Sequence, residues 1–118
     1  MEKVAILVLA GSDGHSNLGR IVNALEVAKE LKEAGDEVKI VFDGAGTEWI
    51  AELASGDHKA SPLFDAVRDE IAGACSFCSK AFGVEAEVKK AGITLLDEFD
   101  KHPSVRKYIA NDYDVITF

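Results

Sequence analysis

Lys3-Val4-Ala5-Ile6-Leu7-Val8-Leu9, Gly11-Ser12-Asp13-Gly14-His15-Ser16-Asn17 and Val38-Lys39-Ile40-Val41-Phe42 frame the stretch that decides the fold. The first run is continuously apolar and rich in β-branched side chains, the pattern of a parallel strand covered on both faces. The second is a string of turn formers whose Ser16 or Asn17 can cap a following helix. Leu18, Ile21, Val22, Leu25, Ala28 and Leu31 then recur at spacings of three and four, with Arg20, Glu26, Lys29, Lys32 and Glu33 largely on the other faces. That two-faced helix ends at Ala34-Gly35, where glycine suits the left-handed residue after a last turn. Strand, helix and strand in this length make one unit with parallel strands and a right-handed connection.

Outward from this unit the alternation continues. Asp43-Gly44-Ala45-Gly46 is a turn, and residues 47–53 (Trp49, Ile50, Leu53) read as a short helix. Residues 55–62 form a polar loop, the longest interruption in the pattern and the expected mobile segment. Residues 63–68 hold a helical stretch and residues 71–75 a small-residue strand. The helix after it contains Cys78, Ala81 and Phe82, is interrupted by Gly83, and resumes over 85–91 until Gly92. Residues 93–96 are expected as a fourth strand, residues 103–110 as a last helix with Pro103 in its first turn, and residues 115–118 as a final strand. The chain is thus expected as one α/β domain over residues 1–118 with a mostly parallel five-stranded sheet.

The 118 residues are 47% hydrophobic and 29% charged, enough for an apolar core without disulfide staples. Thirteen Lys and Arg against 21 Asp and Glu leave a net charge of −8, which repels phosphate backbones and anionic membranes. Nucleic acid and membrane are therefore excluded as expected partners. The apolar run near the start is too short to span a bilayer, and no signal peptide is apparent. Two cysteines are too few for a secreted disulfide framework, so a reducing cytoplasm is the expected compartment.

Those cysteines stand as Cys75-Ser76-Phe77-Cys78. Cys75 closes a strand and Cys78 falls in the first turn of a helix, where free N–H groups favour a negative sulfur. The pair reads as sulfur chemistry, either disulfide cycling or persulfide carriage. Small buried hydrophobes are the competing reading. Zinc stands third, because a structural site needs four ligands and only His15, His58 and His102 remain once a second Cys pair is found missing. No metal and no cofactor are expected. A thioredoxin-like reading weakens because the sole downstream proline, Pro103, fits a helix start.

Reactive groups in such sheets gather beyond the carboxyl ends of the strands. Three loops qualify: residues 11–17, residues 43–47 and residues 75–78, with His58 on the polar loop able to fold over them. The first could cradle a phosphate with its N–H groups, making Gly11, Ser12 and His15 candidate ligand-binding residues. It lacks both glycine-rich phosphate-binding spacings, and Asp13 would oppose an anion. Asp43 at a strand end could accept from a ribose, although Asp-Gly is also a common turn pair. His102 before Pro103 reads as part of the approach to a helix.

In this order and spacing the chain resembles the DsrE/DsrF-like family of small sulfur-relay proteins, which includes the TusD-type persulfide carriers. The resemblance runs over nearly the whole chain: the opening strand 3–8, the helix ending Ala34-Gly35, Val41-Phe42-Asp43-Gly44, Ala74-Cys75, Ala81-Phe82-Gly83-Val84, Ala91-Gly92-Ile93 and a closing strand after Tyr113. It implies a three-layer αβα, flavodoxin-related fold, assembly into trimers or hexamers, and a protein sulfur donor or acceptor. Cys75, eight residues before Gly83, is by that match the sulfur-carrying position. Cys78 and the His58 loop depart from the best-understood carriers. A non-catalytic small-ligand or nucleotide-binding module of the same fold is the alternative function.

Overall fold

The computed structural model describes residues 1–118. Strands β1 (Lys3–Val8), β2 (Glu37–Phe42), β3 (Ile71–Cys75), β4 (Leu95–Leu96) and β5 (Asp114–Thr117) form one sheet in the order β4-β3-β2-β1-β5. Every neighbouring pair is parallel. Helix α1 (Gly14–Glu33) joins β1 to β2, α2 (Glu48–Ala54) and α3 (Ser61–Ala66) join β2 to β3, and α4 (Ser76–Ala81) and α5 (Glu85–Lys90) join β3 to β4. Each step moves the chain one strand in the same direction, so right-handed connections stack their helices on one face. Helix α6 (Val105–Ala110) carries the return from β4 to the far edge and covers the other face. The result is the three-layer α/β architecture with a five-stranded parallel sheet.

The two faces are unequal. Ile6, Val8, Ile40 and Phe42 pack with Ile21 and Leu25 of α1, Trp49 and Ile50 of α2, Phe64 of α3 and Val88 of α5 in the larger core. Ala5, Leu7, Val41 and Leu96 pack with Tyr108 of α6 in the smaller one. Burial of both residue parities explains the unbroken apolar run of β1, whose residues from Val4 to Val8 are all buried.

The sequence expectations differ from the structure at element ends. Helix α1 starts at Gly14 behind Asp13, not behind Ser16 or Asn17; Asn17 instead donates a side-chain hydrogen bond to Asp13 Oδ1. Helix α6 starts at Val105, two residues beyond Pro103, because the Ser104 hydroxyl accepts the Lys107 N–H and serves as the cap. Strand β4 is only Leu95–Leu96. Among the large rings of the sequence, Phe64 and Trp49 are buried, while Phe77 and Phe82 are 52% and 45% exposed.

Two glycines set the geometry of the carboxyl edge. A Cβ on Gly46 would lie 2.0 Å from the Val8 carbonyl oxygen, so the single 3-10 turn after β2 lies directly against the end of β1. Gly73, at φ +157°, leaves 2.5 Å between a Cβ and the Thr94 carbonyl oxygen. The β2/β3 register shifts here: Ile40 pairs with Ile71 but Val41 pairs with Gly73, which leaves Ala72 as an extra residue. Ala72 packs against the smaller core and Ala74 belongs to the larger one, although residues two apart share a face in a regular strand.

Candidate functional site

The strand order β4-β3-β2 lines up the turns that follow those strands. Asp43 leaves β2, Cys75 ends β3 with Cys78 one helical turn beyond it, and the segment after β4 brings His102. One side-chain donor from each of these four residues lies within 4.8 Å of the others. Cys75 Sγ is 3.2 Å from His102 Nδ1, so the two share a proton in a direction set by the imidazole tautomer. Cys75 is also the cap of α4, its sulfur accepting the Cys78 N–H at 3.3 Å. The Cys78 thiol donates to Asp43 Oδ1 at 3.5 Å, and the same oxygen accepts the Gly44 N–H at 2.8 Å. Both cysteines are free thiols.

Cys75 is fully buried and Cys78 is 9% exposed, while Asp43 and His102 are half-buried, so the cluster meets solvent along its Asp43 and His102 side. Burial above all, with the Cys78 thiol and the Asp43 carboxylate adding to it and the Cys78 N–H opposing it, pushes the Cys75 thiol up to about 12. A protonated resting thiol needs a base beside it to react, and His102 stands in that place. The His102 ring also lies against Phe77, with centroids 5.1 Å apart. The Phe77 N–H donates to the Lys101 carbonyl, which ties the His102 segment to α4.

The other sequence candidates are elsewhere. Ser12 donates its N–H to Glu48 Oε1, and a Cβ on Gly11 would meet that same oxygen at 2.8 Å. The N–H groups of Leu9 and Ala10 both go to the Phe118 carbonyl oxygen. The Ser12 N–H is therefore committed to the fold, and a carboxylate already stands where an anion would be cradled. His15 is exposed on the first turn of α1. His58 packs edge-on against Trp49 at 5.8 Å and accepts the Ala60 N–H on Nδ1, so the polar loop is pinned to α2. Neither histidine belongs to the thiol cluster. His102, read from sequence as part of a helix approach and as one of three histidines left for a metal, is the residue whose place beside the thiols that reading missed: it lies 27 positions from Cys75, and no local motif joins them.

The widest concavity, about 440 Å³, lies at the opposite end among Lys3, Lys39, Lys107, Tyr108 and Tyr113. Two of its lysines are engaged, Lys3 with the Asn111 carbonyl and Lys107 with Glu98. No cavity is lined by Cys75, Cys78 or His102. No helix is long and apolar enough to cross a membrane.

No family model matches the chain. It is 33% identical over 115 residues to the uncharacterized protein MJ0733 of Methanocaldococcus jannaschii, covering 97% of this chain and 93% of the relative. Among solved structures, a conserved protein of unknown function, BT1422 from Bacteroides thetaiotaomicron, superposes with a TM-score of 0.65 at 18% identity over 97% of this chain and 94% of that one. That likeness concerns the fold.

Proposed function

The chain belongs to the family of the Methanocaldococcus jannaschii protein MJ0733, and we propose that it is a small sulfur-handling protein of the DsrE/DsrF-like, TusD-type group. In this reading Cys75 carries a persulfide and Cys78 resolves or modulates it. The observation that carries the proposal is the contact of Cys75 Sγ with His102 Nδ1, beside a second thiol, at the carboxyl edge of the sheet.

Loading begins when the imidazole takes the Cys75 proton. The thiolate attacks the outer sulfur of a donor persulfide, a new S–S bond forms on Cys75, the donor's S–S bond breaks, and the departing donor thiolate takes a proton. An acceptor thiolate attacking the outer sulfur reverses the balance and unloads it. Alternatively, Cys78 attacks Cys75 Sγ, closing a disulfide and releasing hydrogen sulfide; a dithiol reductant then restores both thiols. The reading carries with it a protein sulfur donor and acceptor and a reducing cytoplasm.

Mass spectrometry of metal-free protein after incubation with a persulfide donor is expected to find one retained sulfur, mapped to the Cys75 peptide. Cys75→Ser abolishes it and Cys78→Ser keeps it. Loading that survives Cys75→Ser but not Cys78→Ser reverses the assignment, and no loading in the parent ends the sulfur reading. We further propose that the protein is a homo-oligomer, trimer or hexamer, joined through the exposed Phe77, Phe82 and Phe99. A sedimenting mass near 12.7 kDa at micromolar concentration would remove that part.

A further inference from the structure

We propose that Asp43, Cys75, Cys78 and His102 form a binding site for one zinc ion. The inference goes beyond the sulfur reading and stands without it. Four ligands of the types zinc takes, two sulfurs, one imidazole nitrogen and one carboxylate oxygen, converge from three successive strand ends with no pair of donor atoms farther apart than 4.8 Å. With Zn–N near ~2.0–2.1 Å and Zn–S near ~2.3 Å, a tetrahedral ion wants its donors about 3.3–3.8 Å from one another. Cys75 Sγ to His102 Nδ1 is 3.2 Å and Cys78 Sγ to Asp43 Oδ1 is 3.5 Å, so the cluster reaches that shape through side-chain adjustment of about one ångström.

The composition of the set selects the ion. Two thiolates disfavour magnesium and calcium, which take oxygen ligands, and a mixed S/N/O tetrahedron suits zinc. Binding is a substitution without redox change: the two thiol protons leave to solvent as the sulfurs bind, and His102 and Asp43 each contribute a lone pair. All four positions are then protein ligands, the pattern of a closed site. Occupancy ties the ends of β2 and β3 to the segment after β4. It also holds both sulfurs, so zinc and persulfide are alternative occupants of Cys75. The ligand set is dispersed through the sequence, which is why counting histidines and Cys pairs along the chain did not assemble it.

The test is titration of the metal-free, reduced full chain with zinc against a chromophoric chelator, and with cobalt(II) as the spectroscopic probe. Saturation is expected at one ion per chain, with a thiolate-to-cobalt charge-transfer band that both Cys75→Ser and Cys78→Ser abolish or strongly reduce. His102→Ala and Asp43→Asn, each checked by circular dichroism for folding, are expected to weaken zinc by more than the roughly 10–100-fold that outer partners of a metal site contribute. Asp43→Asn keeps an oxygen for the Gly44 N–H, which protects the turn. Magnesium in large excess should not compete. No saturation at one equivalent, or affinity unchanged in both His102→Ala and Asp43→Asn, overturns the proposal. Persulfide loading of the same metal-free protein reads the sulfur function separately: loading without stoichiometric zinc removes only the metal site, and zinc without loading removes only the carrier.

Discussion

The turn after β1 and the turns after β2, β3 and β4 all carry polar side chains at a strand end, yet they use them differently. After β1, the N–H groups of Leu9, Ala10 and Ser12 are all taken by acceptors of the same molecule, and the Trp49 indole closes on the Ala10 carbonyl. After the other three strands, two sulfurs, an imidazole and a carboxylate face one another, although Cys75 also accepts the Cys78 N–H and Asp43 the Gly44 N–H. In the first region these donors are committed to the fold; in the second, two free thiols, an imidazole and a carboxylate are gathered at one place. A satisfied loop tells nothing of function by its composition, because turn residues and ligand-binding residues are drawn from the same few types.

The largest expected contrast between the regions comes from one substitution made in each. Gly46→Ala drives a Cβ into the backbone at Val8, which cannot move without opening the sheet, and should cost more than about 4 kcal/mol in urea denaturation. Gly11→Ala meets the end of a flexible Glu48 side chain and the Ala45 Cβ, and about 1–3 kcal/mol is expected. Equal losses would mean that the two turns are equally built.

The histidines sharpen the contrast functionally. His102→Ala should slow persulfide loading at least tenfold, since a positioned base contributes ~10²–10⁴ where proton transfer limits the rate. His15→Ala should leave loading unchanged. His58→Ala should also leave it unchanged and cost about 0.5–1.5 kcal/mol of stability through the lost contact with Trp49.

Acid should loosen the second region. Burial raises the Glu98 carboxyl, but the Lys107 ammonium and the Ser104 N–H outweigh it and hold the group below its ordinary 4.5. A depressed carboxylate contributes stability above its unfolded value that is lost as the pH falls through the folded one. The parent should therefore exceed Glu98→Gln by less than about 1 kcal/mol at neutral pH, the pair being partly exposed, with the two curves converging below pH 4.5. The smallest effect is expected at Ser79, whose hydroxyl is buried beside Cys78 without a hydrogen-bond partner. Ser79→Ala should be neutral or raise stability by up to about 1 kcal/mol, read as a small rise in melting temperature.

Much of this molecule is local and was legible. The unbroken apolar run of β1, the three-and-four spacing of α1, the stop at Gly35 and the break at Gly83 are determined by residues within a few positions of one another, because helix and strand periodicity and turn chemistry act over that range. The parallel sheet followed from the alternation, and the closeness of Cys75 to Cys78 from their spacing. Element ends were less legible: Ser104, not Pro103, begins α6, since a side-chain cap competes with proline's preference and the hydrogen bond decides. The strand order, the bulge at Ala72 and the meeting of Asp43 and His102 with the thiols were decided only in three dimensions. Asp43 lies 35 residues from Cys78 and His102 lies 27 from Cys75, and pairing across such separations depends on which strands become neighbours, a property of the packed sheet and not of any segment.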